Sequence, residues 1–559
     1  MRRFLIALLL LAGLATQHID AQYSRGMSRH HGYTRGRSYA DLVEVNVREP
    51  GTLEERVPRE MIDRVRMLRV EGPLNERDLA FITKLAKRSK VVNDAGKSVS
   101  NYLDVDLEYA SVMEKRGSRI DHDVLPRRAF EYASRLRSIV LPERLKAIGE
   151  RAFGSCSDLE EVLMPSRVLE FGERAFEGCD DLKYIELPAR LERIGERCFK
   201  GCTSLTRLNL PTGLESIGKE AFDDCKLTEF YIPRNCVIDN NQLGELPYLQ
   251  RYEVAQDNNT YSSLDGALYD RDGVTLLRYP AARTGQCRVP DGVEVIAASA
   301  FSKCKVSDVT LPATLTRLGQ SAFYSCSRLT SISLPDGVVQ LPAHVFRDCS
   351  ALRQVVLGDI NLMGEHAFSN CSSLQSITLT GRLSVIAPSA FEYCKALETV
   401  NLPAGIVTID KKAFHECNAL RKINLGDNLA KIASQAFDRC YSLTAVVVPA
   451  SVSELGEKAF YECKSLQELQ LNEGLLRIGN NALRETAIRH LVIPSTVSHI
   501  GKKITEKCKS LLRIECHATT PPSLDGVSND KVELFVPAQA LDTYRNDKNW
   551  KKFKVIKPL

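Results

Sequence analysis

Hydrophobic and polar positions along this chain repeat with a nearly fixed period. A phenylalanine preceded by a small residue recurs at Phe130, Phe153, Phe176, Phe199 and Phe222, each 23 residues after the last. After a gap the series resumes at Phe301 and continues through Phe323, Phe346, Phe368, Phe391, Phe414, Phe437 and Phe460 in steps of 22 or 23. Leu483 and Ile504 extend it to fifteen units. A sustained period of this size marks a solenoid, whose units stack because none can bury its apolar face alone. In the unit Ile217-Gly218-Lys-Glu-Ala221-Phe222-Asp-Asp-Cys225 the apolar residues fall at i, i+4, i+5 and i+8. That is the stripe of a short helical turn. The segment Leu329-Thr-Ser-Ile332-Ser-Leu334-Pro335 alternates apolar and polar residues as a strand does. Its closing proline has no N–H for a ladder and suits a strand end. Each unit therefore predicts one strand, a turn and one short helical segment, with parallel strands stacked at ~4.8 Å.

The order Cys-x-x-Leu-x-x-Ile-x-Leu-Pro-x-x-Leu-x-x-Ile-Gly-x-x-Ala-Phe is visible from Cys326 to Leu334 and again from Cys394 to Pro403. It resembles the leucine-rich repeats of the BspA-like (Treponema pallidum-type) surface-protein family, over about residues 120–515. The resemblance implies an α/β-type repeat solenoid, a leucine-rich repeat arc with a parallel sheet on its concave face. It also implies a secreted or cell-surface protein, some of whose relatives are adhesins.

Two regions depart from the period. Residues 226–287 lack a matching Phe, and Gly266 to Pro280 reads as a β-hairpin turning at Asp272-Gly273. We expect an irregular insertion there, between a first repeat block at 121–225 and a second at 288–515. Residues 41–120 hold an amphipathic helix from Leu74 to Ala86 and a strand from Leu103 to Leu107, and read as an N-terminal cap. Residues 516–559, with Tyr544, Trp550 and Phe553, would close the other end.

The N-terminus reads as a secretory signal over residues 1–21. Arg2 and Arg3 precede an apolar stretch from Phe4 to Ala15, and Ala21 suits the cleavage position. That stretch is too short for a stable span, so no transmembrane segment is expected after cleavage. Residues 22–40 are basic, without acids, and read as a disordered leader. The expected location is secreted or at the cell surface. A net charge of +5 over 559 residues gives no reason to expect nucleic acid as a partner.

Cysteine follows the unit Phe by three residues in twelve units, from Cys156 to Cys463. Such placement forms a column, and a column does not converge on a metal ion. Oxidation is permitted outside the cell, but each Cys has two equivalent neighbours, and free buried thiols are expected. No nucleophile elbow, His-Glu-x-x-His or phosphate loop is present, so neither an enzyme nor a cofactor is expected. His344, His366 and His415 fall near the helical segment, where exposed residues are expected. Asp270-Arg-Asp272-Gly273 lacks the downstream Glu of a calcium loop and reads as a turn. Asn258-Asn259-Thr260 fits a glycosylation triplet.

What remains is surface. Alternate strand positions must face out on the concave side, and they include Tyr184, Glu186, Arg207, Asn209, Glu229 and Tyr231. The second block offers mostly Thr, Asn, Ser and Val there. Tyr and Arg are the stronger interface anchors. The six residues are therefore the candidate binding face for an extracellular protein ligand. The alternative is a glycan-binding surface module for nutrient capture.

Overall fold

The structure is a computed structural model that describes residues 42–87, 91–92, 98–99, 102–116, 119–238, 243–524 and 532–559. The expected signal and leader segments lie outside the described residues. The chain forms two compact units, one ending at Pro188 and the other beginning at Ala189.

In the first unit Leu42–Asn46, Met67–Leu74, Leu103–Asp106, Leu136–Val140 and Glu161–Leu163 form one parallel ladder in that order. The register aligns Val43, Leu68, Val105, Ile139 and Val162 in one buried row, because residues two apart share a face. A second ladder of two-residue strands accompanies it: Val124–Leu125, Ala147–Ile148 and Glu170–Phe171. The helix expected at 74–86 runs Glu76–Ala86. It starts at Glu76 because Asn75 caps it, Oδ1 accepting from Arg77 N at 2.9 Å. The buried Asp78 carboxylate accepts in turn from the backbone N–H groups of Asn75, Gly51 and Leu53.

The second unit is built from the same two ladders. Long-ladder strands run from Glu229–Ile232 to Val555–Pro558, and short-ladder strands from Arg193–Ile194 to Ser523–Leu524. Most coils therefore carry two strands where the sequence predicted one.

The expected helical segment is instead a chain of turns. Its backbone N–H groups alternate between two destinations. Arg151, Phe153 and Ser155 donate to the next coil, at Glu173, Ala175 and Glu177, while Ala152, Gly154 and Cys156 donate three residues back. A helix would need every N–H for its own i−4 carbonyl, so the inter-coil bonds exclude it. Left-handed residues two before and two after the Phe of each regular coil enforce the same outcome. Examples are Arg151 and Ser155, Ser389 and Tyr393, and Lys458 and Glu462, with φ from 52° to 63°.

The core is the aromatic column. Rings from Phe301 to Phe460 stack face to face with centroids 4.9 to 5.4 Å apart. Beside it stand the thiols. Each donates to the column carbonyl one coil earlier, as Cys156 does to Phe130 and Cys394 to Phe368, both at 3.1 Å. All seventeen cysteines are free and buried. Burial pushes the Cys156 and Cys394 thiols up to about 12.

Two details differ from the sequence reading. At the last unit Leu483 N donates to Ile504 O, the bond that elsewhere joins a column residue to the one before the next, as Phe437 N joins Ala459 O. Thr505 therefore holds the column place instead of Ile504. Cys508, three residues on, donates to Leu483 O at 3.1 Å and extends the thiol column. In the stretch 226–287, Arg251–Val254 pairs parallel with Glu229–Ile232, so the long ladder persists. Phe222 N donates to Leu243 O, which puts Gly244 in the column place. In the next coil Tyr279 takes it, stacking on Phe301 at 4.9 Å. Only Tyr261–Leu264 and Ala267–Asp270 are extra; Thr275–Arg278 forms the expected hairpin with Ala267–Asp270 and also joins the short ladder, pairing parallel with Val295–Ile296.

At the C-terminus Trp550 Nε1 donates to Pro522 O at 2.9 Å and the Tyr544 hydroxyl to Ala518 O at 2.8 Å. Both side chains are buried, with their polar ends satisfied.

Candidate binding face

Alternation along the long ladder decides what faces solvent. In Glu229–Ile232, Phe230 and Ile232 are buried while Glu229 and Tyr231 are exposed. The paired strand repeats the pattern, with Tyr252 buried and Arg251 and Glu253 exposed. Arg251 stands between two acids: Nη2 lies 3.0 Å from Glu229 Oε1 and Nε 3.2 Å from Glu253 Oε1. The Glu229 hydrogen bond and the Glu253 charge raise the guanidinium above its ordinary value. Tyr231 is the register partner of Glu253. One aromatic and three charged side chains thus form a single surface cluster.

The other candidates are placed differently. Arg207 and Asn209 are exposed, but the 203–210 segment makes no strand. Tyr184 and Glu186 are exposed on either side of the buried Ile185, again without a strand, and belong to the first unit. Of the six residues, the cluster unites Glu229 and Tyr231. Sequence reasoning missed Arg251 and Glu253, although Leu249-Gln-Arg-Tyr252-Glu-Val254 carries the same alternation.

Further along, Thr310, Ser333, Val356, Thr378 and Asn401 are exposed on successive strands, and Asn401 Nδ2 donates to Thr378 Oγ1 at 3.2 Å. The C-terminal strands add a cluster that the sequence reading did not single out. The Arg513 guanidinium lies 3.7 Å from the Phe535 ring centroid. Glu515 pairs with Arg513 at 2.6 Å and His490 at 3.0 Å. Burial would raise the Glu515 carboxyl, but His517, His490 and Arg513 together hold it below the usual carboxylate range. The signal was present in Glu533-Leu-Phe-Val536, which alternates like any long-ladder strand.

Three other expectations were tested by their contacts. His415 is buried, contrary to its expected exposure, with Nδ1 3.4 Å from Asp438 Oδ2. Its place one residue after Phe414 turns it into the wall between coils. Asn258 is also buried, and its Nδ2 donates to Pro233 O at 2.7 Å, so the triplet serves a turn. Asp270 closes its hairpin by accepting from Thr275 N. Among the described residues no group of His, Cys, Asp and Glu is arranged to hold a metal ion, and no helix is long and apolar enough to cross a membrane.

Stacked coils, two parallel ladders and a regularly spaced aromatic column define a leucine-rich repeat solenoid. The family model described as the BspA type leucine rich repeat region matches in six copies, over residues 123–245, 282–398 and 384–512. Together these span more than half of the chain, and the protein belongs to that family. A leucine-rich repeat protein from Eubacterium ventriosum shares the fold at 24% identity and a TM-score of 0.52, covering 57% of this chain and 89% of its own. A leucine rich cell surface protein from Faecalibacterium prausnitzii is 25% identical with a TM-score of 0.45, covering 56% and 92%. A leucine-rich repeat protein from Bacteroides ovatus is 22% identical with a TM-score of 0.42, covering 80% and 96%. No curated protein matches the sequence significantly.

Proposed function

We propose that this is an exported, non-enzymatic binding protein that engages an extracellular protein partner through its long-ladder face, the concave side of the repeat, and serves adhesion. The observation that carries the reading is the Glu229–Arg251–Glu253–Tyr231 cluster. A tyrosine and an arginine are held side by side on rigid strands, which lowers the entropy lost on docking. The signal-like N-terminus supports export, and solenoids bind extended partners on such open faces. Arg207 and Asn209, in the same unit, would widen the contact.

The test is a titration of the secreted form against immobilised matrix proteins. The Tyr231→Ala/Arg251→Ala double variant should bind at least tenfold more weakly while melting within about 1 kcal/mol of wild type, since both side chains are at the surface. Unchanged affinity in the double variant would overturn the assignment.

A further inference from the structure

The aromatic column is interrupted once within the second unit, and the interruption leaves a cavity. Gly244 stands where each neighbouring coil has a ring, with φ at +97°. A Cβ there would lie 2.6 Å from Asp223 Cα, so no side chain can fill the place. Phe222 packs edge-on against Phe230 instead, and Phe230 against Tyr252. Face-to-face stacking resumes only at Tyr279. The turns of the Gly244 and Tyr279 coils part at this point, leaving a half-open cavity of about 530 Å³ on the turn side of the coils, away from the long-ladder face. That volume sits inside the ~300–1,000 Å³ common for small-molecule sites.

The wall specifies its ligand. Tyr252 lines the cavity and is 4% exposed, yet its hydroxyl has no hydrogen-bond partner among the described residues. The Tyr252 ring is held in the core while its oxygen is open to the cavity, so the hydroxyl is placed to bond a ligand there. Arg278 is fixed beside it, Nη1 donating to the carbonyls of Ser299 at 2.7 Å and Ala298 at 3.2 Å. Its buried Nε makes no hydrogen bond. Among the described residues, Arg278 and the Asp224 carboxylate, one charge of each sign, have no ion-pair partner, while the other charges of the wall are paired. Lys200 Nζ lies 2.7 Å from Asp223 Oδ2, and Lys303 reaches across one coil to Glu245. The two unpaired charges are opposite and cancel, and both can bond a hydroxyl, so the wall as a whole favours no net charge on its ligand. The apolar part of the wall is Tyr279 with Leu246 and Pro247. Together these groups call for a neutral molecule with hydroxyls on one side and C–H groups on the other.

We propose that this cavity binds a neutral sugar ring, such as the terminal residue of a glycan. The ring's C–H face lies toward Tyr279, and its hydroxyls exchange hydrogen bonds with Tyr252 and Arg278. The site is separate from the long-ladder face and does not depend on the adhesion reading.

Saturation-transfer NMR on the full chain, with the methyl glycosides of glucose, galactose, mannose and N-acetylglucosamine as probes, tests the site. At least one glycoside should receive saturation and titrate to a single dissociation constant. Tyr252→Phe, which removes only the hydroxyl, should weaken it about tenfold. Ser302→Trp, which fills the cavity from its rim, should abolish it while the melting temperature stays within a few degrees. No transfer to any of the four glycosides would overturn the proposal. So would transfer that persists at wild-type strength in both variants.

Discussion

Truncating one ring of the aromatic column should cost far more than an average core mutation. Phe391 is fully buried and stacks on Phe368 at 5.4 Å and on Phe414 at 5.3 Å, with planes within 4° of parallel. Phe→Ala in a core costs about 3–5 kcal/mol through lost transfer energy and the residual cavity. Each aromatic pair adds roughly 0.5–1.5 kcal/mol beyond its area. Two stacks vanish together, and neighbouring coils joined by the Phe391–Ala413 and Phe368–Ala390 backbone bonds cannot collapse into the gap. Phe391→Ala should therefore fall at the upper end, near ~5 kcal/mol. Phe391→Leu should cost only about 1–2 kcal/mol, because most of the volume is kept. The native chain tolerates that residue at the same place, where Leu483 is fully buried. Urea unfolding gives the magnitudes, and amide exchange gives the reach. A stack with only nearest-neighbour contacts should exchange faster around residues 368–437 and stay unchanged around 513–536. Equal unfolding midpoints for Phe391→Ala and wild type would refute the column as the core. Equal losses for Ala and Leu would refute the volume argument.

Two further outcomes follow from the turns and the thiols. Ser325 sits at φ 56°, at the place two after the column that Gly178 and Gly201 occupy in their own coils. Ser325→Gly should raise stability by up to about 1 kcal/mol, because strain relief of ~1–2 kcal/mol outweighs the added freedom of the unfolded chain. Ser325→Val should lower it by at least as much, and a denaturation midpoint that moves the other way in either variant would contradict the turn geometry. Alkylation of the native protein at pH 8 should leave the cysteines unmodified, whereas the denatured, unreduced protein should expose seventeen reactive thiols. A count near zero after denaturation would mean the column is oxidised.

The repeat, the strands and the buried column were legible because each is a one-letter pattern at a fixed period. The turn geometry was not. Apolar spacing of i, i+4, i+5 and i+8 in Ile217 to Cys225 fits a helical stripe and equally fits alternating inter-coil bonds. The residues that break the helix are Arg151, Ser389 and Lys458, which announce nothing about a left-handed backbone. Gly244 went unread because a column place was sought only as a large apolar side chain. The binding cluster was half visible: Glu229 and Tyr231 follow the last regular Phe and Cys of the first block, Phe222 and Cys225, whereas Arg251 and Glu253 follow a coil with no Phe to count from. At the last coil Cys508 held the clue, since counting back three residues gives Thr505.

Amide hydrogen exchange of the protein alone and bound to a partner recovered from matrix proteins tests the central claim most directly. The account predicts slowed exchange in the long-ladder segments 229–232 and 251–254, with the turns at 342–350 and 410–418 unchanged. Protection confined to those turns, with both ladder segments unaffected, would contradict it.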